Sequence, residues 1–209
     1  MDPFGKEELI AFYNRHLRDF GDSPLSVRWT PVGQRRRYEI LLQIAADISG
    51  KDLLDFGCGK GDFYAFLNEQ GVECDYTGID LNENLIRLAE RKFPEARFMV
   101  MDIEEEDLKE EFDIAFLCGV FNLRIAGIRE SMLMVLKRIF NVVREAMHIN
   151  GLSYYDNSPR DIELYYVRPE DIIGFVVEQL SGHMVYRHGM IKGDYFLSVY
   201  KNLDQRQIS

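Results

Sequence analysis

Between Leu53 and Asn150, short apolar runs alternate with stretches of helical period, a pattern that leaves few architectures open. LLDFG (53–57) runs into glycine, and DFYAFLNEQ (62–70) reads as a helix stopped by Gly71. CDYTGI (74–79) makes a second strand, followed by helical NENLIRLAERKF (82–93), and ARFMVM (96–101) makes a third. The charged stretch EEEDLKEE (104–111) leads into the strand DIAFLCG (113–119), and a helix from about Arg129 to Val143 precedes AMHIN (146–150). Strand–helix–strand units close through right-handed crossovers, so these strands are parallel with helices on both faces. The end differs. A helix over 169–180 opens at Pro169 and carries Ile172, Ile173, Val176 and Val177 on one face. HMVYRHG (183–189) and DYFLSVYK (194–201) then form an antiparallel hairpin. The expectation is an α/β fold: a doubly wound, seven-stranded, mostly parallel sheet in one domain spanning 1–209.

Ahead of the first strand, Leu9, Ile10, Tyr13 and Leu17 recur on one face of a helix over about 7–17. The Gly-, Pro- and Ser-containing run at 21–33 breaks it, and a second amphipathic helix follows over Gln34–Ile48. These elements either close the open side of a ligand cleft or pack on the sheet. Trp29, the sole tryptophan, lies in the break, as a loop anchor or as a wall of the pocket. Arg35, Arg36 and Arg37 read as a solvated helix start, or supply one contact to a ligand carboxylate.

Acidic residues outnumber basic ones 35 to 25, for a formal charge of −10. Such a surface disfavours long polyanions, so no nucleic-acid partner is expected. No run is long and apolar enough for a membrane span, and the N-terminal stretch lacks a signal-peptide pattern, so a cytoplasmic protein is expected. Cys58, Cys74 and Cys118 make no disulfide framework, and His16, His148, His183 and His188 have no metal-ligating spacing, so no metal is expected. Nothing in the charge balance sets an oligomeric state.

The strongest local signal is DFGCGKGD (55–62). A strand, closely spaced glycines and a helix start let backbone approach a ligand and offer unpaired N–H groups to it. The spacing is G-x-G-x-G, which departs from the dinucleotide fingerprint. Asp80, ending YTGID, is placed to accept from both hydroxyls of a ribose. Asp102, after ARFMVM, is placed to accept from an adenine amine while Ile103 packs on the ring; the alternative for Asp102 is an N-cap before an acidic helix.

Taken in order, DFGCGKGDF, YTGIDLNENLI, MDIEE and DIAFLCGVFNLR resemble the class I S-adenosylmethionine-dependent methyltransferase family over about residues 35–201. Within it the chain resembles little-characterised small bacterial members, a likeness that names no substrate. The resemblance implies a Rossmann-like fold with the last strand antiparallel, residues 35–201 as catalytic core and 1–34 as an N-terminal helical cap. It implies S-adenosylmethionine as cofactor, S-adenosylhomocysteine as product, and a small-molecule acceptor. It further implies that Asp55 orients the loop or the methionine amine, that Gly57, Cys58, Gly59 and Gly61 line the methionine and ribose portion, and that Asp80 and Leu81 meet ribose and adenine. Asp102 and Ile103 match the adenine-contacting pair, and Cys118 and Gly119 the strand end beside the methionine amine. Two other uses of such a cleft are a non-catalytic adenosylmethionine-binding protein and a nicotinamide-dependent oxidoreductase.

CGVFNLR (118–124) lacks the Asn/Asp-Pro-Pro-Tyr/Phe signature of amino-methylating relatives. Acceptor candidates are Trp29, Phe121, Asn122, Arg124, His148, Tyr154 and Tyr155, each set against a packing, capping or surface role. Arg124 is singled out for recognition of an acidic acceptor. No catalytic base is assigned, because alignment of the acceptor with the sulfonium–methyl bond can suffice.

Overall fold

The computed structural model describes residues 1–156 and 159–202. Its strands are β1 (Asp52–Phe56), β2 (Asp75–Asp80), β3 (Arg97–Val100), β4 (Phe112–Cys118), β5 (Val143–Leu152), β6 (Met184–His188) and β7 (Asp194–Tyr200). They form one sheet in the order β3-β2-β1-β4-β5-β7-β6. β1 to β5 are mutually parallel, and β7 lies antiparallel between β5 and β6. The seven-stranded, mostly parallel sheet with its terminal hairpin is therefore as expected. Strand order reverses at the β1–β4 pair, and open α/β sheets form their ligand crevice at such a point.

The helices are α1 (Pro3–Phe20), α2 (Pro31–Ala45), α3 (Asp62–Glu69), α4 (Glu83–Lys92), α5 (Ile128–Asn141) and α6 (Pro169–Gln179), with a 3-10 turn at Pro24–Val27. Strand side chains alternate between two apolar layers. Leu54, Ala115, Leu117, Met147 and Ile149 pack with Met132, Leu136 and Ile139 of α5 and Ile172 and Val176 of α6. On the other face, Leu53, Ile114 and Phe116 meet Ile40 and Leu41 of α2, Phe63 and Leu67 of α3, and Ile86 of α4. Each such side chain, wholly removed from water, contributes about 1.5–3 kcal/mol.

Both N-terminal helices start earlier than their apolar stripes indicate. The Asp2 carboxylate caps Gly5 N–H at 2.7 Å with Pro3 in the first turn, and the Thr30 hydroxyl caps Gly33 N–H at 3.1 Å ahead of Pro31. No helix forms over 104–111, so Asp102 caps none. Its Oδ1 instead accepts from Glu104 N–H, two residues on, at 3.0 Å. Consecutive Glu104, Glu105 and Glu106 repel, and buried Ile103, Leu108 and Phe112 are spaced wrongly for one helical face. Among the described residues no helix is long and apolar enough to cross a membrane.

Candidate active site

One cleft opens over the C-terminal ends of β1, β2 and β4, with about 970 Å³ of space between its walls including the mouth. Phe56, Gly57 and Gly59 form its floor beside Asp80, Leu81 and Asn82, while Cys118, Gly119, Val120 and Phe121 leave β4 along one side. Met101, Asp102 and Ile103 bound the β3 side. α1 supplies Lys6, Leu9, Ile10 and Tyr13, and Val27 and Trp29 come from the connection to α2.

The glycine loop is shaped by its backbone. Gly57, Gly59 and Gly61 have φ of 74°, 56° and 78°, a region in which a Cβ is strained. Gly57 and Cys58 N–H donate to Ile79 O at 2.7 and 3.1 Å, fastening the loop to β2. Asp80 completes the join: its Oδ2 accepts from Gly59 N–H at 2.9 Å and its Oδ1 from Asn82 N–H at 2.8 Å. Burial raises the Asp80 carboxyl above its usual range, and these backbone donors oppose that rise. Each oxygen keeps a lone pair beyond the one it has committed.

Asp55, near the end of β1, and Cys58 and Gly61 of the loop are not among the residues that line the cleft. The Asp55 carboxyl accepts from Tyr76 Oη at 2.6 Å, and burial pushes it up to about 7. Cys58 is buried with its thiol raised by desolvation, and a Cβ on Gly61 would press on Phe93 and Phe98 at 3.0 Å.

Asp102 Oδ2 pairs with Lys6 Nζ at 2.6 Å, and Glu105 takes the same ammonium at 3.0 Å. Ser131 donates to Glu104, which also pairs with the Met1 amine. Tyr13 faces Asp80; burial and that carboxylate push its phenol up to about 12. Desolvation likewise raises the Cys118 thiol, so both groups stay protonated at neutral pH.

The acceptor candidates separate. Trp29 and Phe121 line the cleft, and Trp29 lies so close over Gly119 that a Cβ there would sit 2.3 Å from its Cζ2. Asn122 is outside the lining; its carbonyl accepts from Tyr165 N–H at 2.9 Å and its Nδ2 sits beside Gly119. Arg124 is exposed and outside the cleft. Leu123 bridges to Leu164 and Arg124 N–H donates to Glu163 O at 2.8 Å, so alternation buries Leu123 and turns Arg124 outward. His148 sits inside the sheet, 1% exposed, with Nδ1 3.0 Å from Ser198 Oγ; burial and Arg187 lower it to about 3. It is a neutral core histidine away from the cleft. His188 is exposed on β6. Tyr154 lies between the guanidiniums of Arg160 and Arg168, 3.7 and 3.9 Å from its ring centroid, and Tyr155 donates to Glu170 at 2.7 Å; neither lines the cleft.

Lys6, Leu9, Ile10, Tyr13, Asn82, Met101 and Val135 also line the cleft, beyond the site residues expected from the sequence. For the α1 members the usable signal was Leu9, Ile10 and Tyr13 on one helical face. Among the described residues no group of three or more His, Cys, Asp or Glu could hold a metal ion.

Residues 53–146 match the family model described as a methyltransferase domain. A Mycobacterium tuberculosis protein, Rv1506c, named as a methyltransferase, is 30% identical over 120 residues, which is 55% of this chain and 72% of that protein. The fatty-acid O-methyltransferase of Mycolicibacterium smegmatis is 27% identical over 131 residues, covering 52% of this chain and 47% of its own length. The chain therefore spans less than half of that second relative. In structure, magnesium protoporphyrin IX methyltransferase from Synechocystis PCC 6803, solved with S-adenosylmethionine, aligns at a TM-score of 0.69. That alignment covers 97% of this chain and 98% of the other at 15% identity, a likeness of fold. With the glycine loop, the acidic strand ends and the β3-β2-β1-β4-β5-β7-β6 sheet, these matches establish that the chain belongs to the class I S-adenosylmethionine-dependent methyltransferase family.

Proposed function

We propose that the cleft binds S-adenosylmethionine and that the protein transfers a methyl group to a small-molecule acceptor. The observation that carries this reading is Asp80, a carboxylate at the foot of a largely apolar cleft, tied to Gly59 and Asn82. Its free lone pairs suit a pair of ribose hydroxyls. Asp102, with Ile103 and Leu81 beside it, suits an adenine amine and ring. Gly57, Gly59, Cys118 and Gly119 line the part of the cleft that suits the methionine portion, while Asp55, Cys58 and Gly61 shape the loop without facing the cleft. When bound, the cofactor supplies an electrophilic methyl on a sulfonium.

In this reading the chain is one domain over 1–209, with 1–34 as a cap and 35–201 as the catalytic core; 157–158 and 203–209 lie outside the described residues. Trp29, Val120 and Phe121 wall the acceptor end and exclude water. Tyr13 and Cys118 stay protonated and His148 lies elsewhere. The lining carboxylates are engaged, Asp80 by Gly59 and Asn82, Asp102 by Lys6, and Glu104 by Ser131 and the Met1 amine. In this reading the side chains therefore align the acceptor rather than deprotonate it. That favours a nucleophile already unprotonated in water, such as a carboxylate. The fatty-acid O-methyltransferase relative is consistent with this class.

Mass analysis of the small molecule released from purified protein tests the cofactor, with adenosylmethionine or adenosylhomocysteine expected and NAD overturning the reading. For the acceptor, adenosylhomocysteine formation is followed across carboxylated, phenolic and amine metabolites. Turnover confined to a protein or nucleic-acid substrate would overturn the small-molecule assignment.

A further inference from the structure

Of the three arginines that open α2, only the last turns inward. Arg35 pairs with Glu69 and Arg36 with Glu39 at the surface, whereas Arg37 is 9% exposed. Its Nη2 donates to Asp194 Oδ1 at 2.7 Å and its Nη1 to Gly33 O at 2.9 Å; its Nε lies 2.6 Å from Asp194 Oδ2, off the N–H axis. Asp194, the first residue of β7, also accepts from Asn150 Nδ2 at 2.9 Å, and the Asn150 carbonyl takes Gly119 N–H at 3.0 Å. Over this network the guanidinium carbon stands 4.2 Å from the centroid of the Trp29 ring, and the edge of that ring rests on Gly119.

We propose that Arg37 is a positioning residue for the methyl-transfer site: clamped by Asp194, it holds the Trp29 indole over Gly119 and so fixes the wall of the acceptor end. The proposal rests on the reading of this cleft as the cofactor and acceptor site. A guanidinium is suited to the task because it can fork onto a carboxylate and stack on a ring at once, which an ammonium cannot. A buried ion pair is seldom better for stability than packed apolar groups, so its contribution here is direction. The indole cannot slide toward β4 without meeting the Gly119 backbone, nor away from it without breaking the stack on Arg37. A bulky acceptor is thereby excluded, and a slender one is kept from solvent.

Trp29 is the only tryptophan, so intrinsic fluorescence reports on this ring alone. The experiment compares the parent with Arg37→Lys and with the double variant Arg37→Met/Asp194→Asn. The double variant removes both charges, so it leaves no lone buried carboxylate of the kind that can unfold Arg37→Met by itself. Acrylamide quenching of Trp29 is expected to rise about twofold or more in the folded double variant as the ring loses its cation stack, with Arg37→Lys between it and the parent. Adenosylhomocysteine is expected to change Trp29 emission in the parent. That change should be lost in the double variant while calorimetry still registers binding. Quenching and emission equal to the parent, in a double variant with an unchanged circular-dichroism spectrum, would overturn the proposal. Failure of the parent to bind adenosylhomocysteine would overturn the reading of the cleft instead, and the quenching comparison would still decide whether Arg37 holds the ring.

Discussion

Replacing Asp80 tests the cofactor reading most directly, because that reading gives one carboxylate two separable tasks. In the folded protein it accepts from Gly59 and Asn82 N–H at 2.9 and 2.8 Å. Asp80→Ala strips both donors of their partner. A buried donor left unpaired costs about 1–3 kcal/mol, and the cleft admits water to these two, so the loss should total about 2 kcal/mol. For a chain of this size that lowers the melting temperature by about 4–8 °C. Cofactor binding loses more specifically: removal of charge-assisted ribose hydrogen bonds is worth about 1.5–3 kcal/mol, or roughly ten- to two-hundred-fold in Kd. Asp80→Asn keeps one acceptor oxygen but turns its amide N–H₂ against one of the two backbone donors, so it should fall between. Calorimetric titration with adenosylhomocysteine on variants shown to be folded separates the two effects. A folded Asp80→Ala protein that binds within about twofold of the parent would refute the ribose role, because even one lost charge-assisted bond exceeds that margin.

Other expectations follow from burial and charge. The Asp55 carboxyl sits at about 7, above its ordinary 3.8, so its contribution to stability is complete at low pH and is lost as pH rises through 7. Asp55→Asn should remove on the order of 2–4 kcal/mol of that loss between pH 4 and 8, measured by denaturant unfolding; parallel pH profiles would contradict it. His148, lowered to about 3 from 6.5, works in the opposite sense: its contribution is present above 6.5 and disappears as pH falls through 3. His148→Gln should flatten the acid limb by on the order of 3–5 kcal/mol while binding adenosylhomocysteine normally, and a loss of binding would return this histidine to the site. At a formal charge of −10, gel shifts with duplex DNA and transfer RNA should show no submicromolar, salt-sensitive complex.

The sheet was legible because its strands are apolar on both faces and end in glycine or aspartate, while the intervening segments keep helical period. LLDFG and YTGID each deliver a cleft-lining residue at a C-terminal strand end, and parallel pairing brings those ends to one edge, with Phe56 opposite Ile79. Asp80, Leu81, Asp102, Ile103, Cys118 and Gly119 share one cleft for that topological reason. The N-terminal boundaries are less legible because apolar spacing marks a helix's buried stripe, whereas capping chemistry marks its start. Asp2-Pro3 and Thr30-Pro31 are both cap-then-proline starts, which place each helix a turn or so before its stripe begins. The acidic segment after β3 carries a helix-compatible composition, but its buried positions, Ile103, Leu108 and Phe112, do not share one helical face.

What local pattern does not carry is where a surface element docks. Arg124 and Leu123 are adjacent in a loop, and only the bridge to Leu164, forty-one residues on, decides which of them faces inward. Lys6 reaches Asp102 because α1 docks beside the strand ends that line the cleft, a placement that a helical stripe alone leaves free. Arg37 is an intermediate case. Gln34, Arg37, Ile40 and Leu41 fall at helical spacing and are all buried, so Arg37 occupies the buried face of α2 beside aliphatic neighbours. A charge in that position demands a partner, since burying it unpaired costs several kcal/mol. Asp194, at the start of a strand that is otherwise almost wholly apolar, is the complementary exception. Each exception was visible alone. The antiparallel insertion of β7 beside β5 is what brings them together, and Trp29 with them, to the Gly119 side of the cleft.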